Sequence, residues 1–222
     1  MIFALILSTS LVVAQASPLQ QKVAAIEAAA YKNKQMLGEY TWQQQETVLV
    51  NGEVKKVDLY QVQLGPNGKP AKVEINQSSS TPDRRKFGIR HRIAQNYIDY
   101  GKQVAALAAS YTQPQPGRLK ALYAQGQVSL RSAGAPGLDA VVVHGYVKPG
   151  DTVTFTFDRA AKSLVAIQVA SYLGGPSDVV TIEARFAKLA DGTSHVSTAT
   201  VNGQSKNLTV QDVNMNYRKR AP

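Results

Sequence analysis

The sequence predicts an α+β fold in which one antiparallel sheet of about nine strands wraps on one or two long helices from a single side. Three observations carry this expectation. Apolar residues recur every three or four positions in two stretches, one near the start of the chain and one in its middle. From Gln127 onward the apolar period falls to two. Turn dipeptides punctuate the alternating stretches at hairpin spacing.

The chain opens with an apolar run, Leu5 to Ala16, that closes on Ala14-Gln15-Ala16. Small residues at the last and third-last positions suit signal peptidase, so residues 1–16 are expected to be a signal peptide cut after Ala16. The run is too short to cross a bilayer as a helix, which takes roughly 20 apolar residues. No Lys or Arg precedes it, which a start placed too far downstream would explain. Ser17-Pro18-Leu19-Gln20 then reads as a helix start, with Ser17 as N-cap, Pro18 in the first turn and Gln20 closing a capping box.

The first helix is expected over Pro18 to Leu37, stopped by Gly38, with Leu19, Val23, Ile26 and Ala30 along one stripe. Tyr40 to Val50 and Val54 to Leu64 flank Asn51-Gly52, the favoured type I′ hairpin turn, and a second turn at 65–70 returns the chain into Ala71 to Asn76. A polar loop follows. Ile89, Ile93, Tyr97, Tyr100, Val104, Leu107 and Tyr111 then mark one face of a long helix, and a short helix from Arg118 to Gln125 comes after it. The remaining chain reads as roughly six strands. Val141-Val143, Val153-Phe155-Phe157, Val165-Ile167-Val169, Val180-Ile182-Ala184-Phe186 and Val213-Met215-Tyr217 are their buried faces. Turns are expected at Lys148 to Asp151, Gly174-Gly175-Pro176, Asp191-Gly192 and Asn202-Gly203. No internal repeat or long linker divides residues 17–222, which are read as one domain.

Composition narrows the function. With 44% hydrophobic and 18% charged residues the chain is globular. It has no cysteine, which excludes disulfides, thiolate metal sites, a cysteine nucleophile and a lipidated cysteine anchor. A cysteine-free exported domain points to a bacterial periplasm or secretion. The net charge of +10, from 25 basic and 15 acidic residues, favours anionic partners such as a membrane surface, or serves solubility alone. Nucleic acid is not expected as a partner of an exported chain.

Local phrases resemble a family of uncharacterised exported bacterial proteins: Tyr40-Thr41-Trp42, Asn51-Gly52-Glu53-Val54-Lys55, Gly65-Pro66-Asn67-Gly68-Lys69, Tyr146-Val147-Lys148-Pro149-Gly150-Asp151 and Leu189-Ala190-Asp191-Gly192-Thr193. The order of elements, helix, short meander, inserted helices, long meander, is similar to that of the bacterial lipoprotein-carrier fold. That resemblance implies a curved sheet forming an unclosed half-barrel, lidded by helices, whose concave face holds acyl chains. It transfers no individual residue.

Two groups of residues are candidates for binding. In a half-barrel, Tyr40, Trp42, Phe155, Phe157, Ile182 and Phe186 would line a cavity for a lipid or other apolar ligand, or else pack as an ordinary core. Arg84, Arg85, Lys86, Arg90 and Arg92 cluster at the start of the long helix, where the macrodipole disfavours cations, and read as an anion site or as a solvated loop. No catalytic, cofactor-binding or metal-binding set is expected. His91, His144 and His195 are isolated, there is no Gly-x-Ser-x-Gly elbow, and Asp151, Asp158, Asp178 and Asp191 fall in turns that favour Asp for local reasons. Two functions follow as expectations: an exported binder of a hydrophobic or amphipathic ligand, or a non-enzymatic interaction module of the cell envelope with a fully packed core.

Overall fold

A computed structural model describes residues 18–77, 89–112 and 117–220. The signal-peptide reading, and with it the cut after Ala16, lies outside these residues. Helix α1 spans Pro18–Leu37, and the Gly38 amide closes it on the Lys34 and Gln35 carbonyls. Strands β1 (Tyr40–Val50), β2 (Glu53–Leu64) and β3 (Pro70–Gln77) form the first meander. Asn51 and Gly52 both have positive φ, 53° and 79°, as a type I′ turn requires. Helices α2 (Ile89–Thr112) and α3 (Arg118–Ala124) follow. The second meander is β4 (Val128–Ser132), β5 (Leu138–His144), β6 (Thr152–Asp158), β7 (Ser163–Tyr172), β8 (Val179–Lys188), β9 (Ser194–Gly203) and β10 (Leu208–Lys219).

All ten strands join one antiparallel sheet in the order β3-β2-β1-β10-β9-β8-β7-β6-β5-β4. The count exceeds the expected nine because the second meander has seven strands, its first being the short β4. Strands β3 and β4 are the two edges and do not pair with each other, so the sheet is unclosed. The two meanders meet where β1 lies antiparallel to β10, Val48 opposite Val210 and Val50 opposite Leu208.

The helices sit on one face, called the inner face below. Leu119 and Leu122 of α3 enter a cluster with Val141, Val143, Val153, Phe155, Val169 and Ile182. Tyr100 and Val104 of α2 pack with Val180 and Leu208 in a second cluster. Helix α1 is tied to β9 by the Asn33 amide, which donates to the Ser194 carbonyl at 2.7 Å and accepts from the Ser194 amide at 2.7 Å.

Four local expectations are corrected. The reversal between β9 and β10 is made by residues 204–207, with Asn207 at φ 45°, and Gly203 stays in the sheet opposite Val180 and Leu208. Gly203 is small because Tyr100 lies against it: a Cβ there would stand 2.7 Å from the ring. On β10 the inward residues are Leu208, Val210, Asp212 and Asn214, while Val213 is exposed. An irregularity around Asn216 (φ 55°) then brings Tyr217 to stack on Trp42. On β7 the register shift makes Leu164 the partner of Phe157 and leaves Val165 as the extra residue. On α2, Ile93 is exposed, and the apolar face packs on the sheet through Tyr100 and Val104.

Candidate ligand-binding face

Cross-strand register makes the inner face divisible into two territories. Reading across from β10 through one register row, Asp212 opposes Ala199, Ala199 opposes Ala184, Ala184 opposes Ile167, Ile167 opposes Phe155 and Phe155 opposes Val141. This side is apolar. Its alternation follows the period of two seen in the sequence, because every second side chain of a strand shares a face. Several of these side chains keep partial exposure: Phe157, Leu164, Ile167 and Val201 around the first cluster, and Val48, Val50 and Val210 around the second.

The other territory is polar. On β1 the side chains of Tyr40, Trp42, Gln44, Glu46 and Val48 alternate onto the inner face, and on β2 Lys56, Asp58, Tyr60 and Val62 oppose them. Asp58 and Asp212 both stand directly opposite Glu46, from either side. Lys56 meets the Asp58 carboxylate at 2.7 Å, and the Tyr60 hydroxyl donates to it at 3.1 Å. Lys72 of β3 meets Glu46 at 3.1 Å. Burial holds the Asp212 carboxyl above the usual carboxylate range, and burial likewise pushes the Tyr60 phenol up.

The six candidate cavity residues fall in different places. Phe155 and Ile182 are buried in the first cluster, with Phe157 packed against it. Phe186 is half-buried opposite Val196. Trp42 is buried at the β1 end, where its indole stacks on Tyr217 at 5.4 Å and its Nε1 donates to the Asn214 Oδ1 at 3.0 Å. Tyr217 also packs on His195, ring centroids 4.2 Å apart. Tyr40 donates to Asp191 at 2.7 Å, which draws that carboxyl down to about 2. Two shallow open depressions lie at the rim, the larger near 480 Å³ between the β1–β2 and β9–β10 turns. The smaller, near 320 Å³, lies beside α3 and the β5–β6 turn.

Of the basic cluster, Arg84, Arg85 and Lys86 lie outside the described residues, and Arg90 and Arg92 belong to the first turns of α2, where Arg92 is exposed. Among the described residues no group of His, Cys, Asp or Glu could hold a metal ion, and no helix is long and apolar enough to cross a membrane. No local sequence pattern marks the Asp58–Glu46–Asp212 row, which only the strand pairing assembles.

These features define an unclosed, helix-bearing antiparallel sheet with an apolar inner territory, the half-barrel that the element order predicts. Solved structures similar to it include these three. One is a DUF1329 family protein from Desulfovibrio piger, 11% identical over 90% of this chain and 94% of that one, with a TM-score of 0.42. Another is a LolA superfamily protein from Nitrosomonas europaea, 10% identical over 90% and 94%, TM-score 0.44. The third is a putative outer membrane lipoprotein-sorting protein domain from Vibrio parahaemolyticus, 10% identical over 88% and 92%, TM-score 0.47. No family model matches the chain, and no curated protein matches it.

Proposed function

We propose that the protein is an exported binder of a hydrophobic or amphipathic ligand, a lipid or an acyl chain, held against the inner face of the sheet and working in the periplasm or outside the cell. The observation that supports this is the incomplete cover of that face. Apolar side chains from β1, β6, β7, β9 and β10 point to the helix side yet keep partial exposure. Leaving apolar surface open costs about 25 cal/mol per Å² relative to burial, so a fold that retains it gains when an apolar guest covers it.

Lipid extraction and mass spectrometry of protein purified from its own envelope, without detergent, test this reading. Co-purifying lipid is expected. A chain that emerges empty, and whose Trp42 emission stays flat through a titration with lysophospholipid, is instead the interaction module with a packed interior.

Within this reading, the basic residues Arg84, Arg85, Lys86, Arg90 and Arg92 bring the protein to anionic headgroups. Changing Arg84, Arg85 and Lys86 to Ser should weaken sedimentation with anionic vesicles at low salt. Unchanged sedimentation removes that role.

A further inference from the structure

The row Asp58–Glu46–Asp212 places three carboxylates on adjacent strands, each directly opposed to the next on the inner face. Like charges directly opposed weaken a sheet. The described neighbours balance them only in part: Lys56 and the Tyr60 hydroxyl share one oxygen of Asp58, Lys72 takes one of Glu46, and the Gln44 side chain bonds Asp212. The Asp58 side chain is 1% exposed, and its Oδ1 has no hydrogen-bond partner. The Oδ1 of Asp212 is also buried without one. Two orphaned acceptors thus flank a third carboxylate, an arrangement that stability alone opposes. Access remains through the middle of the row, since the side chains of Glu46 and Lys72 keep 25% and 35% exposure.

We propose that this acidic end of the inner face is a subsite for the primary ammonium group of an amphiphile, whose chain runs along the same register row; the proposal rests on the ligand-binding reading above. An ammonium carries three N–H donors that reach separate oxygens at about 2.7–2.9 Å, so it suits the neighbouring carboxylates of Glu46 and Asp212 on adjacent strands. A metal ion needs closer convergence, and no described group provides it. Next to Asp212 the row continues through Ala199 and Ala184, both only half-buried, and then Ile167 and Phe155. At about 4.8 Å per strand, the half-buried part of the row, β10 to Ile167 on β7, spans roughly 14 Å, about the length of a dodecyl chain.

Calorimetry at pH 7 with dodecylamine, dodecanol and dodecanoate, each below its micellar concentration or solubility limit, tests the subsite. The amine should bind at least tenfold tighter than the alcohol, and the carboxylate weakest. In the Glu46→Gln/Asp212→Asn double variant the amine-to-alcohol ratio should fall to about one. Should the double variant fail to fold, Glu46→Gln alone, at a quarter-exposed position, should lower the ratio at least threefold. Equal binding of amine and alcohol by the wild type, or a ratio that survives substitution, overturns the subsite while the ligand-binding reading stands. If none of the three binds, both fall together.

Discussion

Tyr111 on α2 donates its phenolic proton to Asp151 at 2.6 Å, across the start of β6 and 40 residues along the chain. The same carboxylate accepts the backbone amides of Tyr146, Val147 and Lys148, so one buried side chain both shapes the β5–β6 turn and holds the end of α2. Tyr111 bonds Ser171 as well, at 2.9 Å. Asp151→Ala leaves several buried donors unsatisfied and should cost about 3–5 kcal/mol. Tyr111→Phe keeps the packing and should cost about 1–2 kcal/mol. Urea unfolding of the two variants checks the difference.

Gly203 and Tyr100 form the other anchor of α2. A Cβ at Gly203 would stand 2.7 Å from the phenol, whose hydroxyl donates to Asp178 at 2.8 Å. Gly203→Ala should therefore cost about 1–3 kcal/mol by displacing the ring. In a Tyr100→Ala background the same change should cost much less. Additive losses in the double variant would show that the ring is not the obstacle.

Asp191 provides a pH test. The Tyr40 hydroxyl bond, with help from the Thr193 amide, draws its pKa from the ordinary 3.8 to about 2. A depressed carboxyl contributes stability that is present above the unfolded value and lost as pH falls toward the folded one. Tyr40→Phe should raise the Asp191 pKa by NMR titration and move acid unfolding to higher pH, within the window from about pH 4 to pH 2.

Asp212 should behave in the opposite sense. Its folded pKa is raised, chiefly by burial, so the stability tied to its proton is full below the unfolded value and lost as pH rises. Asp212→Asn cannot lose that proton. The variant should match the wild type below about pH 3.8 and be the more stable protein at pH 7, measured by thermal unfolding across pH. A variant less stable at pH 7 would mean that the charged carboxylate is held by partners beyond Gln44 and Lys72.

Much of this architecture is legible in the order of the amino acids. The bounds of α1 follow from Pro18 and Gly38, and the hairpin at Asn51-Gly52 from a dipeptide whose backbone tolerates positive φ. What the pattern misreads are places where distant contacts override local preference. Asn202-Gly203 looks like a turn, yet its glycine answers to a tyrosine on α2. Val213-Met215-Tyr217 looks like a buried face, but β10 takes its register from Leu208 and Val210 against β1 and β9. The carboxylate row is invisible for the same reason. Asp58, Glu46 and Asp212 are unremarkable strand residues until β1 meets β10, and nothing local in either strand announces that pairing.

That pairing also bears on how the sheet is completed. Strand β10, which follows the other nine in sequence, occupies an interior place in the sheet, between β1 and β9. Until it arrives, the first hairpins have a bare edge and no second meander to lean on, and the closure spans well over a hundred residues of chain. The two meanders therefore stay unjoined until β10 pairs with both β1 and β9, which makes this long-range pairing the step that completes the sheet.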